Sequence, residues 1–148
     1  MDDIVKTAEA IARDAHFGVT DKSGVDYINH PLTVASFVNT PTEKCVALLH
    51  DVLEDSDKYT EEDLRRLVGD RVVDSLLLLT HDKEVPYFDY VRKIKHSNDP
   101  VAVAVKRADL RHNSDVRRLG KRFFEKGKFI KNSRNLIKYL LCRVYLAI

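Results

Sequence analysis

The stretch Leu48-Leu49-His50-Asp51-Val52-Leu53-Glu54-Asp55 sets four ionisable side chains inside an apolar helical run. Burying such groups without partners is costly, so their presence asks for a reason. On a continuous helix His50 lies one turn from Glu54 and Asp51 one turn from Asp55, and the two pairs share adjoining faces. An adjacent His and Asp offer an imidazole and a carboxylate in nearly the same place, which suits a divalent metal. The Glu-Asp pair then faces whatever that metal binds. Taken alone, the pattern also fits the polar end of an ordinary helix.

Two further segments carry matching chemistry. Tyr27-Ile28-Asn29-His30-Pro31 places a histidine directly before a proline, and Lys106-Arg107-Ala108-Asp109-Leu110-Arg111-His112-Asn113 carries an aspartate on an apolar helix face. Counted from Val101, the positions Val105, Ala108, Asp109 and His112 recur at the spacing of one inward face. Asp109 is therefore expected to point into the protein, where a lone carboxylate needs a cation or several donors; Arg107 or Arg111 could serve structurally. His30, then His50-Asp51, then Asp109 make two imidazoles and two carboxylates. Such a mixed set fits manganese, iron or zinc better than a thiol-selecting or all-oxygen site does.

The elements that must position these groups read as helices almost throughout. Asp2 to Phe17 has apolar residues at helical spacing, and a loop from Gly18 to Tyr27 follows. A helix from about His30 to Val38 stops before Pro41. Thr40-Pro41-Thr42-Glu43 reads as a capping box with proline at the first position, opening the His50 helix. Thr60 to Asp63 starts a short helix that Gly69 ends. Further helices are expected from Asp70 to Leu79, from Pro86 to about Lys95, and from an Asp99-Pro100 cap through Asp109, with the last two near Arg117–Glu125 and Asn132–Ala147. Val101 to Val105 alternates as a strand would, but the proline start and the later spacing favour helix. The expectation is all-α: one helical-bundle domain over residues 1–148, with no repeat or linker dividing it. Bundles build metal sites from side chains facing one another across the core, which explains why the candidate ligands are scattered.

Composition sets the outer bounds. With 148 residues, 44% hydrophobic and 32% charged, the chain fits a folded globular domain, neither disordered nor membrane-spanning. No secretory signal is read at the amino terminus, and the longest apolar runs are too short for a bilayer, so a cytoplasmic location is expected. Cys45 and Cys142, far apart in sequence, read as two reduced thiols. Residues 1–63 carry 14 acidic against 5 basic side chains, and residues 64–148 carry 9 against 20. The acidic half suits a cation and the basic half a polyanionic substrate. Lysines and arginines from Lys121 to Lys131 could instead mark a nucleic-acid surface, but no helix-turn-helix, zinc finger or RNA-binding signature accompanies them.

In order and spacing these segments resemble the HD-domain metal-dependent phosphohydrolases, and within them the hydrolase domain of the RelA/SpoT alarmone family and the small alarmone hydrolases. The matching stretches are Ala15-His16-Phe17-Gly18 with Asp21-Lys22-Ser23-Gly24, Tyr27 to Pro31, Ala47 to Asp55, Leu79-Thr80 leading into Tyr87 to Tyr90, and Ala108-Asp109 to Asn113. The resemblance implies an HD-type bundle in which His30, His50, Asp51 and Asp109 hold a divalent metal, usually manganese, with Fe²⁺ or Zn²⁺ as alternatives. It implies that Glu54 and Asp55 act on the hydrolytic water and that Asn113 contacts the nucleotide near the ribose. Lys22 and Ser23, in the loop leading into His30, fall to substrate binding. The implied reaction removes the 3′-pyrophosphate of guanosine 3′,5′-bis(diphosphate), ppGpp, giving GDP and pyrophosphate.

Two departures bear on the substrate. Asp21 stands where the family has a basic residue that stacks on guanine, and His112-Asn113-Ser114-Asp115-Val116 replaces a pattern in which an Arg and a phosphate-binding Thr follow the Asn. An acidic group beside phosphates is unfavourable. The alternatives are an HD-domain phosphatase for another nucleotide, a nucleotide sensor that has lost catalysis, and a nucleic-acid-binding module driven by the basic half. His16 and His112 are expected to support the site by hydrogen bonding or packing, and His81 and His96 to lie in turns without a role. The apolar carboxy-terminal helix, with Leu140, Leu141, Val144, Tyr145 and Leu146, could pair with a second subunit.

Overall fold

The computed structural model of the chain describes residues 2–115, 117 and 129–147, without the side chains of residues 129–134. The expected helix near Arg117–Glu125, and with it Lys121 to Lys128, lies outside these residues apart from Arg117. Among the described residues every regular element is a helix, in agreement with the all-α expectation. The single strand-like feature is one isolated bridge between Thr20 and Asp26.

Helix α1 runs Asp3–Ala15 and buries Val5, Ala8, Ile11, Ala12 and Ala15, one stripe at helical spacing. Helix α2, Asn29–Ser36, follows the Gly18–Ile28 loop. The central element is α3, Pro41–Leu49, against which α1, α2, α6 and α8 all pack. Being surrounded, α3 is buried on every side from Cys45 through His50, which is why its apolar residues run consecutively. Its start is the capping box read from the sequence: Thr40 Oγ1 accepts from Glu43 N at 3.2 Å, and Glu43 Oε2 accepts from Thr40 N at 3.1 Å.

The chain then breaks. Helix α3 ends at Leu49, His50 and Asp51 form a turn, and the short α4, Val52–Asp55, restarts from Asp51. The continuous helix through His50 and Asp55 expected from the sequence is thus two segments. Helix α5, Glu61–Val68, has its own capping box from Thr60 and Asp63, and ends at Gly69, whose φ of 86° suits glycine. Helix α6 is Asp70–Leu79, and α7 is Tyr87–His96.

Helix α8, Pro100–Asn113, carries the third candidate segment, and the Val101–Val105 alternation is helical. Asp99 caps it, accepting from Val101 N at 2.9 Å and Ala102 N at 3.2 Å. Arg71 and Ser75 of α6 hold that cap in turn, the Ser75 hydroxyl donating to Asp99 at 2.7 Å. The orientation of α8, and hence of Asp109, is fixed from outside the helix as well as within it. Helix α9, Phe129–Ala147, packs along α8 and α7. Cys45 and Cys142 are both buried and unpaired, as expected of reduced thiols. No helix among the described residues is long and apolar enough to cross a membrane.

Candidate metal centre

Three elements bring the polar groups together. His30 is the second residue of α2, and its backbone N–H donates to Tyr27 O at 2.9 Å, which ties the loop to the helix start. His50 and Asp51 sit at the α3–α4 break. On an unbroken helix neighbouring side chains diverge by about 100°. Here the turn lets His50 Nε2 lie 3.0 Å from Asp51 Oδ2. Asp109 reaches the same point from α8, its Oδ1 3.0 Å from His30 Nε2 and 3.5 Å from His50 Nε2. His30 Nε2 and Asp51 Oδ2 are 3.7 Å apart.

These separations bear on whether the residues could hold an ion. Donors each about 2.1 Å from one cation lie roughly 3.0–3.4 Å from one another. The donor atoms of His30, His50 and Asp51 all fall within 4.8 Å of each other. The decisive detail is orientation. His50 Nδ1 is 2.6 Å from Ala47 O, and a carbonyl only accepts, so Nδ1 carries a proton and Nε2 is the nitrogen that faces the cluster, where a cation could take a proton's place. His50 Nε2 is fully buried and makes no aligned hydrogen bond despite the carboxylates beside it. His30 Nδ1 is 2.7 Å from His112 Nδ1, and its Nε2 faces Asp109 Oδ1 at 3.0 Å. An orphaned imidazole nitrogen among buried carboxylates fits a divalent cation.

Electrostatics agree with the geometry. Burial alone would push the Asp109 carboxyl up, but the Lys106 ammonium, then His30 and His50, hold it well below the usual carboxylate range. Burial likewise raises Asp51, and the His50 imidazole outweighs that, lowering its pKa to about 2. For His50, burial favours the neutral ring, yet Asp51 and Asp109 pull its pKa well above the ordinary value. The cluster therefore keeps both carboxylates charged and seeks positive charge.

Lys106, not Arg107 or Arg111, is the partner of Asp109: its Nζ donates to Asp109 Oδ2 at 2.9 Å, and both side chains are buried. Asn113 Nδ2 donates to Asp109 Oδ1 at 2.9 Å, so the amide expected to meet a nucleotide also positions this carboxylate. The Tyr27 hydroxyl donates to Asp51 Oδ2 at 2.5 Å. His16 is buried with its ring 4.8 Å from that of Tyr27, and its Nε2 has no hydrogen-bond partner among the described residues. Its expected hydrogen-bonding role reduces here to packing.

A cavity of about 80 Å³ opens beside the donors, lined among others by Glu54, His81, Tyr87, Tyr90 and Lys106. That is space for several waters or one phosphoryl group, so a nucleoside would have to lie outside it. Glu54 accepts from the His81 backbone N–H, and its pKa is raised, first by burial and then by Asp51. The Asp55 carboxyl is raised by the same two causes in the same order. His81, expected to be idle, lines the cavity with its ring stacked on Tyr90 at 4.5 Å. Its role follows from a contact 27 residues away along the chain, which no local spacing reveals. Lys22 and Ser23 occupy an exposed turn organised by Asp21, whose Oδ1 accepts from Ser23 N at 2.8 Å and Val25 N at 3.1 Å.

No protein-family model matches the chain. Across 80% of its length it is 36% identical, over 129 residues, to a GTP pyrophosphokinase of Streptomyces coelicolor, covering 15% of that protein. Across 74% it is 38% identical to a guanosine-3′,5′-bis(diphosphate) 3′-pyrophosphohydrolase of Haemophilus influenzae, covering 18% of it. A solved structure of a metazoan ortholog of SpoT, described as hydrolysing ppGpp, superposes with a TM-score of 0.68 at 19% identity, covering 99% of this chain and 94% of that one. The chain resembles a RelA/SpoT-type hydrolase domain. The shared architecture is the HD-type helical fold. The RelA/SpoT-like chain spans less than a fifth of the length of the curated relatives it matches.

Proposed function

We propose that this chain is a metal-dependent nucleotide pyrophosphohydrolase that removes the 3′-pyrophosphate of ppGpp, yielding GDP and pyrophosphate. The observation that carries the reading is the convergence of His30, His50 and Asp51, with Asp109 Oδ1 3.0 Å and 3.5 Å from the two imidazoles and the buried His50 Nε2 facing the cluster without an aligned hydrogen bond. The names of relatives that act on ppGpp supply the substrate class. The curated relatives named for synthesis and those named for hydrolysis are alike matched over less than a fifth of their length.

His30, His50, Asp51 and Asp109 would hold the ion, Mn²⁺ as first choice with Fe²⁺ or Zn²⁺ fitting the same donors. A bound divalent cation supplies Lewis acidity, lowering the pKa of water and offsetting phosphate charge. Glu54 and Asp55 would orient the attacking water and take its proton, for which a raised carboxyl pKa is an advantage. Lys106, buried against Asp109, would keep that carboxylate charged and in register. Lys22 and Ser23 would meet phosphate or base from the exposed turn, and Asn113 the ribose side.

One observation favours a second reading, an HD-domain phosphatase for another nucleotide. Asp21 is committed to its own turn and offers no cationic surface for a guanine. A panel of nucleotides including ppGpp and a dinucleotide phosphate separates the two, using metal-stripped protein with and without Mn²⁺. Mn-dependent pyrophosphate release from ppGpp, lost in Asp51→Asn, is the expected result. Turnover of a different panel member would move the protein to the second reading. Silence across the panel with metal bound would sink both in favour of a sensor.

A further inference from the structure

We infer that the chain carries a second binding site, for an anion with two linked phosphate groups, on a different side of α8 from the metal centre. Ala104, Arg107, Ala108 and Arg111 recur at i, i+3, i+4 and i+7 and share one face of α8, with Ala108 at the edge that adjoins the inward face of Val105 and Asp109. With the α2–α3 connection and Arg143 of α9 they enclose about 310 Å³, the lower end of the range for small-ligand pockets.

The lining is cationic in an unusual way. Arg13, Arg65, Arg66, Arg71, Arg92 and Arg117 each form an ion pair with a carboxylate. Among the arginines whose side chains are described, those left without one are Arg107, Arg111 and Arg143, and all three line this cavity. Glu43, the carboxylate in the lining, is already engaged: its Oε2 accepts from the backbone N–H groups of Asn39 at 2.9 Å and Thr40 at 3.1 Å. Arg111 lies over the Phe37 ring, 3.9 Å from its centroid, which restrains the guanidinium and covers that ring face.

The wall carries three guanidinium groups against the one carboxylate of Glu43, an excess of positive charge that favours an anion. Guanidinium groups present forked donors that match phosphate oxygens two at a time, and three of them exceed what one phosphate needs. A diphosphate supplies enough oxygens and charge. Because Arg111 covers the near face of Phe37, recognition would run through the phosphates and not through base stacking. The shared chemistry is the diphosphate group, whether free or carried by a nucleotide.

The test is calorimetric titration of the full chain with inorganic pyrophosphate, GDP and orthophosphate in excess chelator, with Asp51→Asn as a parallel background. Saturable pyrophosphate binding that persists in Asp51→Asn is expected, with orthophosphate weaker. Arg107→Gln and Arg143→Gln should each weaken it about tenfold, the loss of one charge-assisted pair. Ala104→Glu keeps every arginine but adds a carboxylate to the wall, and should abolish binding while the helical circular dichroism stays unchanged. GDP binding as tightly as pyrophosphate would identify a nucleotide as the source, and weaker GDP binding the free anion; either supports the site. Affinity unaltered by the arginine and Ala104 variants, binding that vanishes in Asp51→Asn, or no binding at all would overturn it. None of these outcomes depends on hydrolysis, so the result stands apart from the proposed reaction.

Discussion

The donor cluster and the Asp21–Gly24 turn lie on either side of His30 in the proposed chemistry, yet they are built on opposite principles. The donors come from α2, the α3–α4 break and α8, are mostly buried, and each has an anchor: Ala47 O for His50, His112 for His30, Tyr27 for Asp51, Lys106 and Asn113 for Asp109. The turn is exposed and held by hydrogen bonds that Asp21 makes to its own neighbours. A site assembled from distant elements is preorganised, because moving one donor requires repacking the core. A turn closed on itself can change its side chains without disturbing anything else. The difference suggests where chemistry is fixed and where substrate choice can drift, and each variant below either breaks that contrast or sharpens it.

The largest effect belongs to the cluster. His50→Ala removes the buried nitrogen that faces both carboxylates without an aligned hydrogen bond. Turnover should fall about a thousandfold or more, the scale of losing a preorganised electrostatic group, and bound Mn²⁺ should drop from stoichiometric to trace by elemental analysis. Full metal content and rate in this variant would break the comparison at its root. Metal removal should also lower Tm, since an ion held by three elements at a hundred times its Kd adds about 2.7 kcal/mol. Differential scanning calorimetry with and without chelator measures this.

Lys106→Met comes next. It keeps the length of the side chain but leaves Asp109 buried without its cation. Breaking a buried pair in this way costs about 3–5 kcal/mol. The loss should be larger in chelator than with Mn²⁺ present, because the ion neutralises the same carboxylate. Equal losses in both conditions would mean that Asp109 does not share its charge with the metal.

How much of this was legible depends on distance along the chain. Caps declared themselves: Thr40 with Glu43, Thr60 with Asp63, and Asp99 before Pro100 all follow from side-chain chemistry within three residues. His50, Asp51 and Asp109 stand out because ionisable side chains interrupt apolar helical spacing, and His30 because it directly precedes a proline. The α3–α4 break did not, since neither glycine nor proline marks it; the turn at His50 and Asp51 is a tertiary outcome. Arg107 or Arg111 could serve Asp109 by sequence, but Lys106 at i−3 is on the adjoining face and is the partner, its long amine buried against two tyrosine rings. His81 joins the site through contacts to Glu54 and Tyr90 that only the fold creates.

Glu54→Gln probes the boundary between the two regions. If Glu54 takes the proton from water, its loss costs about 10²–10⁴ in kcat. In the unaltered chain the rate should fall as pH drops through a pKa lying above the ordinary glutamate value, because the carboxyl must be ionised to act. The sign for stability is the reverse. A carboxyl whose folded pKa is raised binds its proton more tightly when folded, so its contribution to stability is lost as pH rises through that pKa. Glu54→Gln should therefore be slightly more stable than the parent at neutral pH and inactive there. A variant that is both inactive and less stable would assign Glu54 to holding His81, not to the water.

Tyr27→Phe should act more gently, lowering metal affinity or kcat about 10–100-fold by freeing Asp51 from its anchor. The smallest effect is expected at the turn. Lys22→Ala should leave kcat and Tm unchanged and raise KM only a few-fold, since an exposed cation interacts with phosphate through solvent screened over about 10 Å. Raising the salt concentration should erase that difference in the parent protein as well. Should Lys22→Ala instead lower kcat as strongly as Tyr27→Phe does, the turn would belong to the preorganised machinery, and its independence from the buried donors would be an artefact of its exposure.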